Sequence, residues 1–155
     1  MKPEKKQGRY DRIFSQLSEL LTATQNPVSR MATVASVLHH KMDGFFWTGF
    51  YLLKDDKLLV GPYQGPVACQ ELEKNKGVCW AGINDNKTLI VPDVEKFPGH
   101  IACDSRSRSE VVIPIWDEGG RVIGVLDVDS KEPGQFDETD AAGLERIVSL
   151  LQLAG

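Results

Sequence analysis

The stretch Glu110-Val111-Val112-Ile113-Pro114-Ile115-Trp116-Asp117-Glu118-Gly119-Gly120-Arg121-Val122-Ile123-Gly124-Val125-Leu126-Asp127-Val128-Asp129 decides the fold. Two β-rich runs, residues 110–116 and 121–129, flank an Asp-Glu-Gly-Gly turn, the pattern of a β-hairpin. With Trp116 facing Arg121, opposed residues sum to 237, which places Glu110 opposite Asp127. Directly opposed residues share a sheet face, and Asp127 and Asp129, two apart on one strand, share it as well. Val122, Gly124, Leu126 and Val128 then lie on the other face, the one suited to packing under helices.

Working outward, a second hairpin precedes this one: residues 45–53 are aromatic and apolar, Asp55-Asp56 make a turn, and residues 58–63 return. Helices occupy both chain ends. Tyr10, Ile13, Phe14, Leu17, Leu20 and Leu21 recur at helical spacing, and that helix is expected to end near Thr24. Asn26 and Pro27 are suited to capping and starting a second helix that carries Met31, Val34, Ala35 and Leu38 to about Lys41. Asp137 is expected to cap a last helix bearing Leu144, Ile147, Val148 and Leu151. In the middle, residues 77–84 read as a short helix, 88–91 as a short strand and 92–109 as a long Gly/Pro-broken loop. The expectation is one α+β domain over residues 1–155: a central antiparallel sheet, helices from both chain ends on one face, and residues 1–8 as a flexible tail.

Composition narrows the function classes. The 155 residues are 41% hydrophobic, enough for one substantial core. Eighteen Lys+Arg against 22 Asp+Glu give a net charge of −4, without the basic stripe that nucleic acid requires. The first residues lack an apolar signal region, and no apolar run approaches the ~20 residues of a membrane span, so the expectation is a cytoplasmic protein with neither nucleic acid nor membrane as partner. Three cysteines in such a chain argue against a structural disulfide framework.

The candidate chemistry has three parts. Glu110, Asp127 and Asp129 converge at one end of the last hairpin, where crowding raises at least one carboxyl pKa; they are either solvated strand-end acids or a site that binds a cation or holds a proton. Trp47 and Tyr51 alternate onto one face of the first hairpin, and form an apolar wall beside the acids if that face is the acids' own. Cys69 and Cys103 fall in loops. His100, Arg106 and Arg108 favour the Cys103 thiolate while Asp104 and the acids oppose it. Zinc held by Cys69, Cys79, Cys103 and His100 is disfavoured, because no Cys-x-x-Cys pair exists and only one histidine is a candidate ligand.

Several stretches together resemble a known family: Gly61-Pro62-Tyr63-Gln64-Gly65-Pro66-Val67-Ala68-Cys69, Lys76-Gly77-Val78-Cys79, Val91-Pro92-Asp93-Val94, Phe97 through Ser105, Ser109-Glu110, and Gly124 through Ser130. They are similar to the free methionine-(R)-sulfoxide reductases, which are GAF-fold enzymes. The resemblance implies that Cys103 is the nucleophile, that Cys69 closes a disulfide with it, and that Cys79 is an alternative or auxiliary thiol. It further implies that Glu110, Asp127 and Asp129 polarise the sulfoxide and bind the substrate's ammonium. Trp47, joined by Tyr51, walls the S-methyl end. A thioredoxin or similar dithiol resets the disulfide, no metal or organic cofactor takes part, and a homodimer is compatible. The contrasting expectation is a GAF-type module that senses a small ligand or redox state without catalysis.

Overall fold

The computed structural model describes residues 1–100 and 103–153. The elements run α1 (Pro3–Leu20), α2 (Pro27–Lys41), β1 (Trp47–Lys54), β2 (Lys57–Gln64), β3 (Glu71–Leu72), α3 (Gly77–Asp85), β4 (Leu89–Val91), β5 (Ser109–Trp116), β6 (Val122–Ser130) and α4 (Glu138–Ser149). The six strands form one antiparallel sheet in the order β3-β2-β1-β6-β5-β4. No helix among the described residues is long and apolar enough to cross a membrane.

Helices α1, α2 and α4 cover one face. There Leu17, Leu38, Phe50, Ile113, Leu126, Leu144 and Ile147 are fully buried in one cluster, each side chain contributing about 1.5–3 kcal/mol relative to exposure. The Asn26 side chain accepts the Ser29 amide and Pro27 opens α2, as the sequence leads one to expect. Asp137 and Asp140 form a reciprocal capping box at α4. The opposite face carries a smaller cluster in which Val78, Cys79 and Trp80 of α3 pack on Trp47, Tyr51, Val112 and Val125.

Two expectations require correction. Residues 1–8 are not a flexible tail: Pro3 starts α1, and buried Lys6 donates to Asp140 at 2.6 Å and to the Gln135 carbonyl at 3.1 Å. The first turn is polar in sequence because its anchor is ionic. The pairing of β5 with β6 is also displaced by two residues, so that Glu110 faces Asp129 while Asp127 faces Val112. One residue of this displacement arises in the turn, where Asp117 N–H donates to the Arg121 carbonyl across a three-residue loop with Gly120 at φ +82°. The other arises at a bulge between Ile115 and Trp116. Together they leave Glu110, Asp127 and Asp129 on one face, as the alternation requires.

Candidate active site

The pairing of β1 with β6 settles which face the aromatics share. Trp47 lies opposite Asp129, Gly49 opposite Asp127 and Tyr51 opposite Val125, so the aromatic wall and the acids stand side by side. Across β6, Asp129 also faces Glu110. Trp47, Tyr51, Glu110, Asp127 and Asp129 line a cavity of about 60 Å³ that is roofed by α3 and bordered by the segments carrying Cys69 and Cys103. The acids are not solvated strand-end groups: Glu110 and Asp127 are each 5% exposed, and Asp129 is half-buried.

Trp47 is oriented at both ends. Its ring stacks on Tyr51 at 5.6 Å and on Tyr63 at 5.2 Å between centroids. A glycine at position 49 makes this possible, since a Cβ there would fall 2.2 Å from the Tyr63 Cβ and 2.8 Å from the Trp47 ring. The polar tips of the wall reach the loop before β3: Trp47 Nε1–H donates to the Pro66 carbonyl and the Tyr51 hydroxyl to the Cys69 carbonyl, both at 3.1 Å. The wall therefore fixes the backbone of Cys69 as well as bounding the cavity. Tyr63 belongs to that wall and escaped the sequence reading. The two-residue turn at Asp55-Asp56 alone would put Pro62 opposite Gly49; a bulge between Gly49 and Tyr51 brings Tyr63 there instead.

Cys69 and Cys103 are joined as a disulfide with an S–S distance of 2.03 Å and Cα atoms 5.5 Å apart, the pairing that the resemblance implies. A zinc quartet using both thiols is not the arrangement found. The turn after Cys103 is held by Asp104, whose carboxylate accepts from the Arg106 amide and guanidinium at 2.7–2.9 Å. Arg106 thereby holds the half-buried Asp104 carboxyl down at about 2. The guanidinium also lies 4.9 Å above the Phe46 ring at the cavity edge. Arg106 is thus engaged by Asp104, and burial lowers the pKa of His100, so neither is an uncommitted cation beside Cys103.

Cys79 is fully enclosed on α3, its Sγ 4.0 Å from Glu110 Oε2. Burial, and then the charges of Asp127, Glu110 and Asp129, push its thiol well above the ordinary range. The same causes act on the acids. Burial followed by the charges of Asp127 and Asp129 raises Glu110 well above the usual carboxylate range, burial and Asp127 raise Asp129, and burial raises Asp127. His100 Nε2 approaches Glu110 Oε1 at 3.9 Å, and Asp127 Oδ1 is buried without a hydrogen-bond partner. Such a group can hold a proton at neutral pH and release it to an oxygen that develops charge.

Residues 27–154 match the family model described as GAF domain. The chain is 46% identical over 147 residues to GAF domain-containing protein A of Dictyostelium discoideum, covering 94% of this chain and 92% of that protein. To the free methionine-R-sulfoxide reductase of Escherichia coli it is 36% identical over 143 residues, covering 92% and 86%. The solved structure of the free methionine-R-sulfoxide reductase from Neisseria meningitidis in complex with its substrate superposes with a TM-score of 0.88 at 41% identity, covering 92% of this chain and 86% of that one. On sequence and fold together, the chain belongs to the free methionine-R-sulfoxide reductases of the GAF-domain family.

Proposed function

We propose that this protein reduces free L-methionine-(R)-sulfoxide to methionine through Cys103 and Cys69. The observation that carries the reading is the placement of the Cys69–Cys103 pair at the edge of a cavity lined also by Trp47 and three acids, two buried and one half-buried. Cys103 as thiolate attacks the sulfoxide sulfur. The oxygen must be protonated as the S–O bond weakens, and Glu110, with Asp129 opposite, supplies that proton. The protonated oxygen passes from the methionine sulfur to Cys103 Sγ as the bond between the two sulfurs breaks, so methionine departs and Cys103 keeps the oxygen as a sulfenic hydroxyl. Cys69 then displaces it as water and the disulfide forms. An external dithiol of the thioredoxin type attacks the disulfide, leaves both thiols reduced and becomes oxidised itself. Cys79, whose burial favours the protonated thiol, serves as an auxiliary group rather than the attacking one. A reducing, cytoplasmic setting suits this cycle.

The same acids account for substrate size. Asp127 and Asp129 pair with the free α-ammonium, which in a peptide becomes a neutral amide with chain on both sides. Trp47 and Tyr51 receive the S-methyl group. The S epimer would set its oxygen against that wall and its methyl against the acids. Thiol-dependent turnover of separated epimers, free and peptide-bound, is the test: the free R epimer is expected to react, and the others poorly. Comparable rates on peptide-bound or S-configured sulfoxide would overturn the acidic-pocket reading, and no activity on any of them would favour a ligand-sensing GAF module.

A further inference from the structure

We propose that Cys79, Glu110 and Asp127 form a buried site for one divalent cation of the zinc class. Their donor atoms, one sulfur and two carboxylate oxygens, all lie within 4.8 Å of one another, and all three residues are buried. Two of these acids and Asp129 share the cavity, yet no lysine or arginine pairs with any of the three acids among the described residues. Asp127 Oδ1 independently points to a ligand, because it is a buried carboxylate oxygen in the cavity wall with no hydrogen-bond partner. Such an oxygen costs free energy unless something binds it.

The spacing suits a small, borderline-soft cation. Zinc bonds of about 2.3 Å to sulfur and 2.1 Å to oxygen place tetrahedral S and O donors about 3.6 Å apart. Cys79 Sγ and Glu110 Oε2 stand 4.0 Å apart, so that pair needs a closure of a few tenths of an ångström, and no donor pair, all being within 4.8 Å, needs more than about 1–1.5 Å. The thiolate disfavours magnesium and calcium, which take oxygen donors. His100, 3.9 Å from Glu110 through Nε2, or a water, completes four ligands. On binding, the Cys79 S–H bond breaks, its proton goes to the buffer, and a sulfur–zinc bond replaces it. One consequence, exclusion of the substrate's ammonium from the acids, rests on the reaction proposed above. The binding itself does not.

The disulfide form makes the test specific, because the chain has three cysteines and two are then bonded to each other, leaving Cys79 as the free thiol. Calorimetric titration of Zn²⁺ into that form is expected to give one ion per chain with proton release. Co²⁺ is expected to give a thiolate-to-cobalt charge-transfer band in the near ultraviolet. Cys79→Ser should abolish the band, and both it and Asp127→Asn should weaken Zn²⁺ binding at least about tenfold, the usual scale for losing a zinc-site contact. Absence of Zn²⁺ binding to the oxidised protein, or binding without a cobalt–thiolate band, would overturn the proposal. The wild-type cobalt spectrum decides this even if Cys79→Ser does not fold. Because neither titration involves turnover, the outcome is distinguishable from failure of the proposed reaction.

Discussion

Asp140 and the Glu110–Asp127–Asp129 group are buried carboxylates of one small domain, and they are handled in opposite ways. Asp140, 1% exposed, accepts from Lys6 Nζ and the Tyr10 hydroxyl at 2.6 Å each and from the Asp137 amide at 2.9 Å. It ties α1 to α4 and completes a helix cap. The acids under α3 have one another, a thiol at 4.0 Å and a histidine at 3.9 Å, with one oxygen left unpartnered. The helix side compensates its buried charge within the protein, while the cavity side leaves compensation to whatever enters. The difference separates a carboxylate that holds the fold from carboxylates held by it.

The most severe way to sharpen this contrast is to remove the proposed nucleophile. Cys103→Ser is expected to abolish turnover with dithiothreitol and with thioredoxin alike, while Cys69→Ser keeps one round of methionine release and loses cycling. Single-turnover and steady-state assays separate the two, and a cycling Cys103→Ser enzyme would remove Cys103 from its role. Next in size is Asp140→Ala, which strands Lys6 and Tyr10. A loss of about 3–5 kcal/mol is expected in denaturant melts, with kcat/KM of the protein that remains folded little changed. A catalytic defect without a stability defect would erase the distinction between the two regions.

The opposite pattern is expected of Glu110→Gln and Asp129→Asn. Each should lower kcat/KM at least about tenfold, or roughly 1.4 kcal/mol of transition-state stabilisation, while stability holds or rises because crowded charge is relieved. The smallest effect concerns pH. Folding raises the Glu110 and Asp129 pKa values, so the folded state binds more protons than the unfolded chain. The stability this proton binding contributes is fully present below the ordinary carboxylate value of about 4 and is lost as pH rises through the raised values. Thermal melts should therefore show the double variant Glu110→Gln/Asp129→Asn gaining on the wild type toward neutral pH, by about 2–4 °C for each ~1 kcal/mol. A gap independent of pH would mean that the acids titrate normally.

Much of this was legible because it is local. Alternation in β5 and β6 put three acids on one face of the last hairpin, alternation in β1 put Trp47 with Tyr51 on one face of the first, and Asn26-Pro27 and Asp137 marked two helix starts. Which faces coincide depends on the pairing of β1 with β6, between residues nearly 80 positions apart, and hydrophobic pattern alone does not fix that. The two-residue strand β3 is too short to show a period. Burial of the acids escaped for a related reason. The covering helix α3 is nine residues long and apolar on most of its surface, so its own sequence does not declare that it roofs charged groups. The anchoring of residues 3–8 depends on Asp140, at the far end of the chain.

The bulge between Ile115 and Trp116 makes the cavity a matter of odd and even numbers. The three-residue turn alone would put Glu110 across from Val128, on the parity of the greasy layer beneath the helices; the extra residue restores the parity of Asp127 and Asp129. Two irregularities that each look like a flaw in the hairpin therefore cancel. Changes of two residues in this turn conserve the chemistry, whereas a change of one, unless another bulge absorbs it, exchanges a carboxyl group for an aliphatic side chain. The turn is far from the cysteines along the chain, and yet its length is a condition on the reaction.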